Sequence, residues 1–292
     1  MVITKSYDFN PRYGEFYEID DDVKTDSNMY HIGERIGVGG NAAVYSCVDS
    51  KGNEYAIKFL LNFGTKINKR FAREVRILKQ LSHPHIVRFI DEGTTAATTS
   101  KKSSHIVKVY FAVMERADKN LVDFIKENSD NIEYEIYAPQ LRGLSEALCH
   151  LHEIAIHRDI KPENILVKGE KWLISDFGLC AIFKSDDEME LTGDYEKVGP
   201  KWWMSPEAAV KAYWGQDEID ETSDVYQLCA VFWFIITRKC PIGTIVKDDY
   251  LEFDTKVCDT ILQALYYCKT KRPQNGRELF DSICAATIDR DA

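Results

Sequence analysis

Two short polar segments constrain this chain more than any other part of its sequence. The first is His157-Arg158-Asp159-Ile160-Lys161-Pro162-Glu163-Asn164, and the second is Asp176-Phe177-Gly178. The first segment offers a carboxylate, a cation and a carboxamide in close succession, at Asp159, Lys161 and Asn164. The second adds a carboxylate oxygen, the kind of hard ligand that Mg²⁺ prefers. Together these are the groups needed to handle a hydroxyl and a metal-bound phosphate.

The two segments resemble the catalytic loop H-R-D-x-K-x-x-N and the metal-binding D-F-G of the eukaryotic-type protein kinase family, and together they are far more specific than either alone. The resemblance implies an α+β, bilobal, protein-kinase-like fold, with a β-rich N-lobe that has one main helix and a mostly helical C-lobe. It also implies ATP and Mg²⁺ as cofactors. Asp159 would orient the acceptor hydroxyl and take its proton, while Lys161 would steady the γ-phosphate. Asn164 and Asp176 would hold Mg²⁺ ions.

A glycine-rich turn lies upstream, at Ile36-Gly37-Val38-Gly39-Gly40-Asn41-Ala42-Ala43-Val44-Tyr45. Glycine lets the backbone approach phosphates closely and direct its N–H groups at them. The match to G-x-G-x-x-G is incomplete, because Ala42 stands at the third glycine position. Its weight comes from the strand that follows, which ends in Tyr55-Ala56-Ile57-Lys58 and matches V-A-I-K.

A helix is predicted over residues 67–80, because Ile67, Phe71, Val75 and Leu78 fall on one helical face. Glu74 lies on the adjacent flank, from which it can reach Lys58. By resemblance, Lys58 would hold the α- and β-phosphates and Glu74 would pin it by an ion pair. The alternative is a surface salt bridge of little energetic value.

The stretch Phe111-Ala112-Val113-Met114-Glu115-Arg116-Ala117 resembles the hinge between the kinase lobes. Its backbone groups would bind adenine, and Met114 would control access to the back pocket. Apolar residues from both lobes would sandwich the base. The residues that the resemblance implies for nucleotide binding are Ile36, Gly37, Gly39, Gly40, Val44, Ala56, Lys58, Met114, Glu115, Ala117 and Leu166.

The resemblance divides the chain into four parts. Residues 1–28 form an acidic N-terminal extension that we expect to be partly disordered, since it shows no sustained period. Residues 29–114 form the N-lobe, residues 115–117 the hinge and residues 118–292 the C-lobe.

Two elements are predicted from local pattern alone. The stretch 94–104 is rich in hydroxyl groups and predicts a solvent loop between two strands. A long helix is predicted within residues 133–153, with its start at or after Tyr137, because Pro139 disfavours an earlier one. This helix leads directly into the catalytic segment.

Composition argues against several other classes of protein. The chain of 292 residues carries 37 Lys and Arg against 47 Asp and Glu, and its net charge of −10 argues against nucleic acid or an anionic membrane as partners. The longest apolar run, residues 228–236, falls well short of the roughly 20 residues of a membrane helix. It predicts a buried helix that opens at Ser223. Since no signal sequence is recognisable, a cytoplasmic location is expected.

The segment from Gly178 to Glu207 corresponds by resemblance to the activation loop, with Thr192 as the expected phosphorylation site. It ends in a run similar to G-T-P-x-Y-M-A-P-E, with Pro200 where Ser/Thr kinases place a threonine. Lys161 favours a Ser/Thr kinase, whereas the Lys-Trp-Trp-Met run is similar to tyrosine kinases. Both specificities therefore stay open from the sequence.

Two charged residues further along the chain extend the resemblance. By analogy with the family, Asp224 would bond the backbone of the catalytic segment. Arg272 would pair with Glu207.

The sequence thus predicts an ATP-dependent protein kinase that phosphorylates Ser/Thr hydroxyls of protein substrates and also autophosphorylates. Three alternatives stay open: a pseudokinase that serves as an ATP-binding scaffold, a dual-specificity or tyrosine kinase, and a small-molecule phosphotransferase of similar fold. The complete set of Lys58, Glu74, Asp159, Asn164 and Asp176 argues against the scaffold. The Pro206-Glu207 pair with its distant arginine argues against the small-molecule enzyme.

Overall fold

The computed structural model describes residues 1–4, 16–39, 41–99, 106–128, 132–183, 202–214 and 218–287. The chain divides into two units. The first comprises Met1–Lys79 and Arg88–Ala117, and the second comprises Gln80–Val87 and Asp118–Ala292.

The first unit is built on one eight-stranded antiparallel sheet. Its strands are β1 (Val2–Thr4), β2 (Phe16–Glu18), β3 (Asp22–Lys24), β4 (Met29–Val38), β5 (Ala42–Asp49), β6 (Glu54–Leu60), β7 (Phe89–Thr99) and β8 (Ile106–Glu115). Their order across the sheet is β1-β2-β7-β8-β6-β5-β4-β3. Within the described residues of this unit, one helix, α1 (Thr65–Leu78), accompanies the sheet.

Alternation along the strands gives this sheet two different faces. Val44 lies opposite Lys58 and Ala56 lies opposite Met114, so these four side chains share one face. Their sequence neighbours lie on the other face, where they form an apolar core that includes Ala43, Tyr45, Ile57, Phe59, Phe111 and Val113. Each large apolar side chain that is fully buried stabilises the folded state by about 1.5–3 kcal/mol.

The amino-terminal residues that the structure describes include three strands of this sheet, β1, β2 and β3. The sequence led us to expect a partly disordered extension here instead. Ile3, Tyr17 and Val23 are buried in the core of the first unit. The Tyr17 hydroxyl donates to the Leu61 carbonyl at 3.2 Å. Strands of three residues are too short to show a period, so the sequence carried no signal for them.

Strand β7 is longer than predicted, because residues 94–99 belong to it rather than to a solvent loop. Its register with β8 runs from Phe89 opposite Met114 to Thr98 opposite Ile106. Threonine is β-branched and fits a strand well once a partner strand is present. The prediction was therefore wrong for this half of the stretch, and the remaining residues 100–104 lie outside the described part of the chain.

The second unit is mostly helical. Its helices are α2 (Leu121–Glu127), α3 (Tyr134–Leu151), α4 (Pro206–Trp214), α5 (Glu221–Thr237), α6 (Thr255–Ala264) and α7 (Gly276–Thr287). Its short strands are β9 (Lys119–Asn120), β10 (Ala155–Ile156), β11 (Ile165–Lys168), β12 (Lys171–Ile174) and β13 (Ala181–Ile182). A strand-rich first unit and a mostly helical second unit confirm the predicted fold class.

Helix α5 lies in the core of the second unit, with Leu228 and Phe232 fully buried, so the predicted buried helix is confirmed. Its start was predicted wrongly. The helix begins after Asp220, whose side chain accepts a hydrogen bond from the Thr222 N–H at 3.0 Å, and Ser223 already lies inside it. Among the helices that the structure describes, α5 included, none has both the length and the apolar character needed to cross a bilayer.

Helix α3 also begins earlier than predicted, at Tyr134 rather than at or after Tyr137. Pro139 lies inside the helix and removes one backbone donor. A tertiary hydrogen bond stabilises the start of the helix, since the Tyr134 hydroxyl donates to the Thr287 carbonyl at 3.1 Å. This bond connects the first turn of α3 to the end of α7.

Replacing Ile3 by alanine tests whether the first strand stabilises the first unit. Ile3 is fully buried, and removing such a side chain typically costs about 2–5 kcal/mol. The neighbouring Val2 is 43% exposed and provides the matched control, since Val2→Ala should change stability by no more than about 0.5 kcal/mol. Urea unfolding followed by far-UV circular dichroism measures both variants. Equal unfolding midpoints would contradict this role of β1.

Candidate active site

Lys58 and Glu74 form a close ion pair in the first unit. Lys58 lies on β6, on the sheet face opposite the core, and its Nζ is 2.6 Å from Glu74 Oε1 on helix α1. The two side chains are only 15% and 5% exposed. This confirms the predicted ion pair, and the burial argues against the alternative of a surface salt bridge. Burying two charged groups costs free energy because both lose their hydration. A buried ion pair therefore suggests that the two charges have a role beyond stability.

The glycine-rich turn is the hairpin between β4 and β5. Gly37 lies opposite Val44, and the Gly39 N–H donates to the Ala42 carbonyl at 2.8 Å. Ala42, at the position where the family pattern has a third glycine, is the first residue of β5 and pairs with Leu60. The alanine therefore does not prevent β5 from pairing with both neighbouring strands, although the register of β4 with β5 shifts between Ile32 and Gly37. Gly40 lies outside the described residues.

The apolar residues predicted to bind adenine are placed in both units. Val44, Ala56 and Met114 share the Lys58 face of the sheet in the first unit, where Ala56 is the direct cross-strand partner of Met114. The Glu115 N–H donates to the Arg88 carbonyl at 2.9 Å, which fixes the peptide group at the end of β8.

Of the remaining predicted adenine contacts, two lie in the first unit and one lies in the second. Ile36 is on β4 and is 40% exposed. Ala117 is the last residue of the first unit. Leu166 is on β11 of the second unit, where it pairs with Leu173 and Asn120.

The catalytic segment follows β10 and ends in a short 3-10 turn, Pro162–Asn164. Arg158 adopts a left-handed backbone conformation with φ +70°. The buried carboxylate of Asp224 on α5 accepts hydrogen bonds from the His157 N–H at 2.6 Å and from the Arg158 N–H at 2.8 Å. The prediction that Asp224 bonds the backbone of this segment is confirmed.

The carboxylate of Asp159 is bonded by two polar side chains. Its Oδ2 accepts hydrogen bonds from Lys161 Nζ at 2.9 Å and from Asn164 Nδ2 at 2.8 Å. Burial raises the pKa of the Asp159 carboxyl, and the negative charge of Asp176 acts in the same direction, whereas Lys161 opposes the shift. A carboxylate with a raised pKa is a better proton acceptor.

The β11–β12 hairpin brings Asn164 close to the start of the second polar segment. Ser175 donates to the Asn164 carbonyl through both its N–H, at 2.9 Å, and its hydroxyl, at 2.8 Å. Asp176 follows directly, in a left-handed conformation with φ +60° and with an exposed side chain. The His157 and Phe177 rings pack with their centroids 5.1 Å apart, which links the two segments.

The oxygen ligands of Asn164 and Asp176 fit a Mg²⁺ ion. The Asn164 amide nitrogen donates to the Asp159 carboxylate and carbonyl, which leaves the side-chain Oδ1 as the atom that could bind a cation. Within the described residues, no group of three or more His, Cys, Asp or Glu side chains is arranged to hold a metal. Mg²⁺ usually takes one or two protein oxygens together with waters and substrate phosphates.

The predicted pair between Glu207 and Arg272 is confirmed and is bidentate. Arg272 Nη1 and Nη2 lie 2.8 and 3.0 Å from the two carboxylate oxygens of Glu207. The Ser223 hydroxyl also donates to Glu207, at 2.6 Å. Burial alone would raise the pKa of Glu207, but the hydrogen bonds from Arg272 and Ser223 outweigh it and hold that pKa below its ordinary value.

Sequence reasoning missed two residues that support the catalytic segment, Ser175 and Gln227. Gln227 lies on α5 and bonds the backbone of the segment on both sides of Asp159. A glutamine next to a long apolar run could have indicated a buried side chain that bonds the backbone of another element, because a buried carboxamide needs polar partners. Two of the positions discussed from the sequence, Thr192 and Pro200, lie outside the described residues.

Comparison with known proteins agrees with this geometry. The family profile described as protein kinase domain matches residues 30–291. A probable serine/threonine-protein kinase of Clostridium acetobutylicum is 32% identical over 222 residues, which cover 74% of this chain and 31% of that protein. A serine/threonine-protein kinase of Myxococcus xanthus is 26% identical over 279 residues, covering 86% of this chain and 31% of that protein.

A eukaryotic relative shows the same likeness. Cyclin-dependent kinase-like 4 of Mus musculus is 31% identical over 209 residues, which cover 70% of this chain and 55% of that protein. The chain thus spans between about a third and about half of the length of these three relatives.

Replacing Arg272 by methionine tests the buried pair in the second unit. The change leaves the Glu207 carboxylate buried without its cation, which typically costs about 3–5 kcal/mol. Lys126→Met is the matched control, because the exposed pair of Lys126 with Asp123 is worth about 0–1 kcal/mol. Urea unfolding followed by tryptophan fluorescence measures both.

The pH dependence provides a second check on the same pair. Because the folded-state pKa of Glu207 lies below its ordinary value, the stabilisation is present above the unfolded-state pKa and is lost as pH falls through the folded-state pKa. The stability difference between the wild type and Arg272→Met should therefore shrink in acid. A difference that stays constant with pH would contradict the assignment.

Proposed function

The chain belongs to the protein kinase family, and we propose on that basis that it transfers the γ-phosphate of ATP to serine and threonine hydroxyls of protein substrates, its own chain included. The observation that carries the proposal is the hydrogen-bonded arrangement of Lys161 and Asn164 around the buried Asp159. Phosphoryl transfer leaves the protein little covalent chemistry, so the work is positioning and stabilisation of charge.

In the proposed reaction, Asp159 orients the acceptor hydroxyl and takes its proton. The hydroxyl oxygen forms a bond to the γ-phosphorus, the bond from that phosphorus to the β–γ bridging oxygen breaks, and ADP leaves. Both hydrogen bonds to the carboxylate go to Oδ2, so Oδ1 is the oxygen available for the hydroxyl. Lys161 holds Oδ2 and brings a positive charge to the transferred phosphate.

Lys58 is proposed to bind the α- and β-phosphates of ATP. Its ion pair with Glu74 limits the side chain to one direction, which lowers the entropy lost when the phosphates bind. The glycine-rich hairpin, with Gly37, Gly39 and Gly40, would let the backbone approach the same phosphates closely.

Mg²⁺ would be held by Asn164 and Asp176, and when bound it supplies positive charge to the phosphate oxygens. Adenine would contact the hinge backbone at Glu115 and Ala117. The apolar residues proposed to enclose the base are Ile36, Val44, Ala56, Met114 and Leu166.

The preference for serine and threonine rests on Lys161 and on the relatives, two of which are described as serine/threonine-protein kinases. The cytoplasmic location expected from the sequence stays a prediction. Thr192 stays the proposed site of a regulatory phosphate.

Replacing Lys58 or Asp176 by alanine tests the proposed activity. Each change removes one charged group that contacts ATP or its metal, so phosphate transfer should fall by roughly 100-fold or more. The measurement is phosphate incorporation into a protein substrate with ATP and Mg²⁺, read by mass spectrometry. Asp159→Ala serves as the inactive reference that reveals contaminating kinases.

Two exposed residues provide matched controls for these variants. Lys79 forms an exposed ion pair with Glu92 in the first unit, and Lys79→Ala should keep full activity. Asp123 forms an exposed ion pair with Lys126 in the second unit, and Asp123→Ala should also keep full activity. Full transfer by Lys58→Ala or Asp176→Ala would overturn the proposed site. ATP binding by the wild type without transfer to any acceptor would favour the scaffold, and phosphate on a small molecule alone would favour the other phosphotransferase class.

A degenerate peptide library tests the acceptor class. We expect incorporation into serine and threonine peptides to exceed that into tyrosine peptides by about tenfold or more, because the lysine at position 161 of the catalytic segment favours a Ser/Thr enzyme. Phosphoamino acid analysis measures the ratio. Labelling of tyrosine peptides alone would contradict the proposed specificity.

A further inference from the structure

Gln227 connects helix α5 to the peptide groups beside the proposed catalytic aspartate. Its side chain is buried, with 1% of the residue exposed. Its Oε1 accepts a hydrogen bond from the Ile160 N–H at 2.9 Å, and its Nε2 donates to the Arg158 carbonyl at 3.3 Å. Both ends of one carboxamide are thus used on one short stretch of backbone.

The two groups that Gln227 bonds belong to the peptide units on either side of the Asp159 Cα. The other two polar groups of these units are also paired. The Asp159 N–H lies 3.3 Å from His157 Nδ1, and the Asp159 carbonyl accepts from Asn164 Nδ2 at 2.9 Å. Because both peptide planes are held, the direction of the Asp159 Cα–Cβ bond is held as well.

The backbone at this point needs support. Arg158 has φ +70°, a conformation that costs a residue with a side chain of order 1–3 kcal/mol and persists only where its surroundings impose it. Asp224 holds the N–H of Arg158 and Gln227 holds its carbonyl. Asp224 and Gln227 are three residues apart on α5 and therefore lie on the same side of the helix.

The chemistry of this position is specific to a carboxamide of this length. Ile160 N–H needs an acceptor and the Arg158 carbonyl needs a donor, and a buried polar group without a partner costs about 1–3 kcal/mol. Methionine fills a similar volume but offers neither group. Asparagine offers both but is shorter by one methylene.

We propose that Gln227 is a positioning residue that fixes the two peptide units flanking Asp159 and thereby sets the direction of its carboxylate toward the acceptor hydroxyl. The catalytic part of this inference rests on the proposed function. The backbone part does not, because it concerns the contacts of Gln227 alone.

Steady-state kinetics of Gln227→Met test the catalytic part. Misdirection of the carboxylate should lower kcat by about tenfold or more. The KM values for ATP and for a serine peptide should stay within about twofold, because Gln227 contacts neither proposed phosphate-binding group nor hinge. The control is Gln140→Met, which also removes a hydrogen bond of a buried glutamine, the one that Gln140 Oε1 accepts from the Trp172 N–H at 3.0 Å, and should leave kcat unchanged.

Amide hydrogen exchange on the intact chain tests the backbone part independently. Exchange of the Ile160 N–H should be about tenfold faster or more in Gln227→Met than in wild type, and unchanged in Gln140→Met. If Gln227→Met does not fold, as judged by circular dichroism, Gln227→Asn replaces it and the same results are expected. Asparagine keeps the carboxamide, but its side chain is too short to bond both backbone groups.

The outcomes separate this inference from the proposed function. Normal kcat with folded Gln227→Met overturns the positioning role. An equal drop in kcat for Gln140→Met also overturns it, since any buried glutamine would then serve. If the wild type itself transfers no phosphate, the proposed function fails, and Ile160 exchange alone decides: faster exchange supports the backbone role, and unchanged exchange overturns it.

Discussion

A single buried carboxylate organises the second unit. Asp224 is fully buried on helix α5 and accepts hydrogen bonds from two successive backbone N–H groups, those of His157 and Arg158. Its charge is compensated by these donors and by the His152 ring, whose Nε2 lies 3.1 Å away. An ionised group without such partners would be costly to bury. The catalytic segment is therefore attached to the buried helix α5, and this attachment fixes the backbone conformation of the segment.

The same physical rule applies to two further buried carboxylates. Glu74 pairs with Lys58, and Glu207 pairs with Nη1 and Nη2 of Arg272. Each pair joins parts of the chain that are distant in sequence. Pairs of this kind add little net stability compared with apolar packing, but removing one partner is costly. They therefore specify where helices α1 and α4 must lie within their own units.

The sequence was informative where short motifs carry several functional groups. The carboxylate, lysine and asparagine of the catalytic segment could be identified because their chemistry and spacing are distinctive, and the helix that carries Glu74 was visible from its apolar period. Strands β1, β2 and β3 and residues 94–99 were not identified as strands, because their pairing depends on distant partners rather than on local pattern. Gln227 was overlooked for the same reason, since its partners lie on another element.

The strands at the amino terminus have a consequence for synthesis of the chain. Tyr17 on β2 pairs with Thr99 on β7, so the two partners leave the ribosome far apart in time. Contacts of such large separation form slowly, because a long loop must close first. Strands β1 and β2 pair with each other, but β2 can join the rest of the sheet only after β7 has been synthesised. Until then, the edge of β2 that bonds β7 lacks its partner strand.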